Sequence, residues 1–124
     1  MVRTATGLTP VRYVSRTSAP RPTSWKVTEV ADLRGDRLLV VHGELDIATA
    51  PELRRLLTGL RLRGHSVVLD LAEVTFIDST GLSALMDAHF EAARDGWDFS
   101  VRHPSRAVRR VAELTGMEHV LGPP

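Results

Sequence analysis

Apolar positions change period several times along the chain, and each change marks an element. Between Trp25 and Ala31 hydrophobic and polar residues alternate in twos, the spacing of a strand with one covered face. Arg34-Gly35-Asp36 reads as a turn, and Leu38 to Val41 follows as an almost wholly apolar second strand. So short a connection predicts an antiparallel hairpin. From Thr49 the period lengthens. Leu53, Leu56, Leu57 and Leu60 fall at steps of three and four, with Glu52, Arg54, Arg55 and Thr58 opposite, so a helix is expected. Thr49 and Glu52 stand at capping-box spacing, Pro51 suits a first turn, and Gly64 supplies the stop. His65 to Leu71 returns to a buried, β-branched-rich strand. A helix joins it to the strand before, so the two should lie parallel.

The chain is then expected to turn through residues 72–77 and to enter a second helix at Asp78-Ser79-Thr80-Gly81. Leu82, Leu85, Met86, His89, Phe90 and Ala93 form its predicted inner stripe, and Gly96 its end. Trp97 to Arg102 alternates as a fourth strand. Pro104 or Ser105 opens a last helix that runs to Thr115, with Ala107, Val108, Val111 and Leu114 inward; His119 to Leu121 reads as a short extended segment. Helices are thus expected near 49–62, 79–94 and 104–115. The fold class is α/β: a small mixed β-sheet of four to five strands packed against helices, with no room for a second domain.

Composition sharpens the boundaries. Of 124 residues 43% are hydrophobic, enough for one core. Residues 1–22 differ from the rest: rich in Thr, Ser, Pro and Arg, with four arginines and no acid, they are expected to be a disordered basic tail. Residues 23–124 are expected to be the folded domain. With no cysteine, there is neither a disulfide framework nor a thiolate site. No apolar run reaches the length of a membrane span and no signal-peptide core is present, so a cytoplasmic location without membrane contact is expected.

The chemistry is notable for what it lacks. There is no Walker loop, no G-x-G-x-x-G and no G-x-S-x-G elbow. The five histidines are scattered and none has the spacing of a metal site. Neither catalytic residues, metal nor cofactor is therefore expected. Glu44, Asp46, Asp70 and Asp78 are candidates to meet near one set of strand ends, where α/β proteins place their sites. Asp78 or Ser79 is first of all a helix N-cap. Yet two hydroxyls at a helix start, beside a glycine, are also exposed on a rigid support and open to phosphorylation.

Three blocks carry a resemblance: HGELDIATAPELRRLL at 42–57, VVLDLAEVTFIDSTGL at 67–82 and SRAVRRVAELTGM at 105–117. In this order they resemble the STAS domain family, and among its members the bacterial anti-sigma factor antagonists. The resemblance implies a domain without catalysis of its own. It implies binding to an anti-sigma factor serine kinase, release of a sigma factor, phosphorylation within the D-S-T-G motif, and reset by a serine phosphatase, with no direct contact to nucleic acid. Carried over by residue, the phosphoacceptor is Ser79. Glu44, Asp46, Thr49, Asp78, Thr80 and Gly81 join it in the partner-binding surface. Thr80 stands where many relatives have a second serine. Two other readings belong to the same family: a non-phosphorylated subunit of a lipid transport complex, and a nucleotide- or ligand-binding module.

Overall fold

Strand pairing follows the period-two runs, and the connections set its direction. In a computed structural model that describes residues 9–15 and 25–121, β1 (Thr9–Ser15), β2 (Trp25–Ala31), β3 (Arg37–Leu45), β4 (Val67–Ile77) and β5 (Phe99–Arg102) form one sheet in that order. The β1-β2 and β2-β3 pairs are antiparallel. The β3-β4 and β4-β5 pairs are parallel, because α1 (Ala50–Leu62) and α2 (Ser79–Asp95) carry the chain back between them. The chain continues in α3 (Arg106–Thr115) and a 3-10 turn at Glu118–Leu121.

Alternation gives the sheet two unlike faces. Val27, Leu39, Val41, Val67, Leu69 and Leu71 are buried and join Leu53, Leu57 and Leu60 of α1, Leu82 and Leu85 of α2, and Val108 and Ala112 of α3 in one core. The residues between them in the strands, among them Thr28, Val40, His42, Val68 and Asp70, are half-buried and point to the other face. Glu29 is an acid on the covered face, in register with Leu39. The Arg37 guanidinium donates to its Oε2 at 3.0 Å, so the buried charge is paired. Arg54 meets Asp87, and Arg61 meets Glu91 and Asp95, across α1 and α2. These pairs are solvated, each worth ~1 kcal/mol or less.

Several sequence expectations are corrected. Thr9–Ser15 lies within the segment expected to be disordered, yet it is a strand paired to β2, with a register shift between Pro10 and Arg12. Val11, Tyr13 and Val14 are strand formers that a reading of overall tail composition outvoted. The remainder of the expected tail, 1–8 and 16–22, lies outside the described residues. Removing residues 1–15 should therefore lower the melting temperature by roughly 5 °C or more, since losing even ~1 kcal/mol shifts a domain of this size that far. Calorimetry on the truncated chain checks this, and an unchanged midpoint would show β1 to be dispensable.

β4 runs on through 72–77, the stretch expected to turn. Two irregularities in its pairing with β3, between Val40 and His42 and between Gly43 and Glu44, give β4 extra residues. After Leu71 burial comes every third residue, at Val74 and Ile77, so the period of two is lost there. The inner face of α2 is Gly81, Leu82, Ala84, Leu85, Ala88 and Ala92; Phe90 is 49% exposed and Ala93 is exposed. Small residues face inward, so weighting by hydrophobicity rotated the expected stripe. In α3, Leu114 is exposed and Ala112 takes the inward place. Residues 118–121 form 3-10 helix rather than an extended segment.

On the uncovered face, burial and the neighbouring Lys26 charge hold the His42 imidazole below its ordinary value, against the opposing pull of Glu73 and Asp70. Thr28 Oγ1 lies 3.3 Å from His42 Nε2. With the folded value depressed, the unfolded chain binds the proton more readily. This contribution to stability is therefore complete above the unfolded value and is lost as pH falls through the folded one. The urea midpoint should fall between about pH 7 and 5, and fall less in His42→Gln. Equal slopes for the two proteins would remove His42 from the account.

Candidate functional site

The ends of β3 and β4 and the starts of α1 and α2 build one ridge. Leu45 and Ile77, the last residues of the two strands, are paired in register, and the Asp78 N–H donates to the Leu45 carbonyl at 3.3 Å. Asp78 is extended, and its carboxylate accepts the Gly81 N–H at 2.9 Å, capping α2. The cap expected from the sequence is thus present, and it places Ser79 at the first helical position.

Gly81 sits beneath the ridge rather than on it. It is buried, and a Cβ there would lie 2.3 Å from the Leu45 carbonyl oxygen and 2.9 Å from Ile77 Cγ1. The first turn of α2 is therefore pressed onto the end of β3, which only a residue without a side chain permits. Gly81 shapes the surface but offers a partner nothing.

Thr49 is likewise internal, 2% exposed. Its hydroxyl does not cap α1 in the capping-box manner that its spacing suggested. It accepts the Asp46 N–H at 2.9 Å and lies 2.8 Å from the Glu44 carbonyl oxygen, to which it donates. The Asp46 carboxylate in turn accepts the N–H groups of Ala48 and Thr49 at 2.9 and 3.1 Å. Asp46 and Thr49 thus clasp the turn between β3 and α1. Glu44 lies half-buried on β3, in register with Phe76.

What remains for contact is narrow. Ser79 is exposed and Thr80 half-buried; among the described residues neither hydroxyl has a hydrogen-bond partner. Asp70, grouped with the other acids in the sequence reading, is elsewhere. It lies level with Arg102 of β5, seven residues before the end of β4, and its Oδ2 meets His103 Nδ1 at 3.1 Å. No cluster of three or more His, Cys, Asp or Glu able to hold a metal occurs among the described residues.

Two exposed apolar residues near the ridge were not singled out from the sequence. Ile47, in the β3-α1 turn, is 73% exposed, and Phe76, beside Glu44, is 49% exposed. Both are large apolar groups within three positions of the ridge's polar residues. The usable signal was a phenylalanine and an isoleucine in stretches otherwise read as loop. Charge adds to the pattern. No Lys or Arg occurs in 42–53 or 71–93, while Glu44, Asp46, Glu52, Glu73 and Asp78 do. The ridge is acidic with an apolar component, and its central hydroxyl is free.

Comparison with known proteins adds the following. Residues 30–123 match the family described as "Mlab, STAS domain". The anti-sigma-B factor antagonist of Staphylococcus epidermidis is 32% identical over 82 residues, 65% of this chain and 76% of its own. That of Bacillus subtilis is 26% identical over 93 residues, 75% of this chain and 85% of its own. A crystal structure of an anti-sigma factor antagonist from Mycobacterium paratuberculosis superposes with a TM-score of 0.65 at 29% identity, covering 86% of this chain and 88% of the other.

Proposed function

The chain belongs to the STAS domain family, and from that premise we propose that it is an anti-sigma factor antagonist switched by phosphorylation of Ser79. Its partner is an anti-sigma factor that is also a serine kinase. Binding through the ridge frees a sigma factor. Phosphate on Ser79 ends the association, and a serine phosphatase restores it. In this reading the chain is the kinase's substrate and has no catalytic role. The cycle uses ATP and serves transcription, which places it in the cytoplasm. Among the described residues no helix is long and apolar enough to cross a membrane.

One observation carries the reading: an exposed serine hydroxyl, without a partner among the described residues, on the first turn of a helix capped by Asp78. Thr80 is less exposed, which favours Ser79 as the acceptor. Incubation with ATP and the ATPase recovered on the chain from native lysate, followed by mass spectrometry, tests it. Phosphate on Ser79 is expected. Phosphate on Thr80 alone would overturn the assignment of Ser79, and phosphate on neither residue would overturn it and favour a non-phosphorylated STAS subunit.

Ile47 and Phe76 supply exposed apolar area at the same strand ends. Ile47→Ser and Phe76→Ser should each weaken kinase binding by about tenfold, the ~1.4 kcal/mol expected of a moderate contact. Neither should shift the melting temperature much. Titration calorimetry reads the first effect and thermal melts the second. Unchanged affinity in both variants would move the interface off this ridge.

A further inference from the structure

At the C-terminal end of β5, Ser100, Val101, Arg102, His103, Pro104, Arg109 and Leu121 line a cavity of about 320 Å³. It lies level with Asp70, some seven strand residues or on the order of 20 Å from the ridge. Val101, Pro104 and Leu121 contribute apolar residues to its lining, and Arg102, His103 and Arg109 contribute basic ones. Among the described residues neither Arg102 nor Arg109 has a side-chain hydrogen bond or ion pair.

His103 adds a second, independent feature. It holds φ 53°, the only positive-φ non-glycine residue among those described. Left-handed backbone is uncommon outside glycine, and histidine is among the residues that adopt it more readily. Here Asp70 Oδ2 binds Nδ1 at 3.1 Å, which fixes the ring while its side chain stays 64% exposed. The ring is thus oriented by one nitrogen and free at the other. Pro104 follows and restricts the backbone further.

We propose that this cavity is a second binding site, for a phosphate monoester borne on an apolar body. Two guanidinium groups provide enough donors for the three terminal oxygens of such a group. The apolar part of the lining takes the body, and a volume near 300 Å³ suits a small ligand. The phosphate could be that of a soluble ester or of a lipid head group. The site shares no residue with the ridge and does not depend on the switch at Ser79.

Titration with phenyl phosphate, followed by amide shifts in two-dimensional NMR on the full chain, tests the site. Saturable shifts at Val101 to His103 and at Arg109 are expected. Binding should be about tenfold tighter than for inorganic phosphate, the factor that burial of a ring readily supplies. Arg102→Gln and Arg109→Gln should each weaken it about tenfold. Arg55→Gln, on the far helix α1, should not change it. Sedimentation with phosphatidic acid vesicles, lost in Arg102→Gln, would assign the head group to a lipid; phenyl phosphate binding without sedimentation would assign it to a soluble ester. Equal losses from Arg55→Gln and Arg102→Gln would mean diffuse attraction to basic groups and would overturn the proposal. So would no preference for phenyl phosphate over inorganic phosphate.

Discussion

Gly81→Ala overfills the core at a cost of about 2 kcal/mol, the middle of the range for such overpacking. The added Cβ would stand 2.3 Å from the Leu45 carbonyl oxygen, far inside contact distance, and the obstacle is backbone. Leu45 is itself fully buried and paired with Ile77, so β3 cannot retreat. The same carbonyl accepts the Asp78 N–H, and pushing it aside loosens that bond as well. Alanine is the better helix former by ~1 kcal/mol, which offsets part of the loss. The remainder, ~1 kcal/mol, is a drop in melting temperature of roughly 5 °C. Ser83→Ala, two positions on and exposed, is the control and should be nearly neutral. Urea denaturation of the two variants decides. A Gly81→Ala midpoint at the wild-type value would mean that α2 does not press on β3 as described.

That result would also separate two roles that the sequence runs together. The D-S-T-G motif reads as one surface unit, and from sequence Gly81 was placed in it as a contact residue. In the fold the motif is split by the helix period. Asp78 caps, Ser79 faces solvent, and Gly81 packs inward. Thr49 shows the same limit. Its spacing to Glu52 signals a cap, but its hydroxyl serves Glu44 and Asp46, because the turn before α1 folds back over the strand end. Where one local rule acts alone, the sequence is legible: β2 alternates, α1 ends near Gly64, and α2 starts at Asp78. Where two strands of unequal length must pair, it is not. The second half of β4 was invisible because the irregularities against β3 erase its alternation. Asp70 was misplaced for a related reason, since its level in the sheet depends on how far β4 extends beyond it. The grouping of Glu44, Asp46 and Asp78 survives, as all three lie at true strand ends.

Ser79→Asp should leave the fold intact and abolish partner binding. At the first helical position a negative charge meets the positive end of the α2 dipole, a favourable ~0.3–1 kcal/mol. Asp78 and the other acids of the ridge oppose it, but Ser79 is exposed and water screens them. The melting temperature should accordingly change little. The interface behaves differently. The absence of Lys and Arg from 42–53 and 71–93 calls for a basic rim on the partner, and such rim charges mainly steer encounter. In the proposed contact the hydroxyl belongs with Ile47 and Phe76 to the part that loses its water. A carboxylate buried there without its own partner costs several kcal/mol, and ~4 kcal/mol is already about a thousandfold in affinity. A phosphate carries about −1.5 to −2 at pH 7 and should be at least as disruptive. Ser79→Ala removes the acceptor while keeping the size of the group, so it should bind the kinase normally and resist phosphorylation. Calorimetric titration of the three proteins against the kinase, repeated at high salt, measures this. Raised salt should weaken the wild type modestly through the rim and should not rescue Ser79→Asp, whose penalty is desolvation. Wild-type affinity in Ser79→Asp, or its recovery in salt, would mean that the serine lies at the edge of the contact and that the switch works by other means.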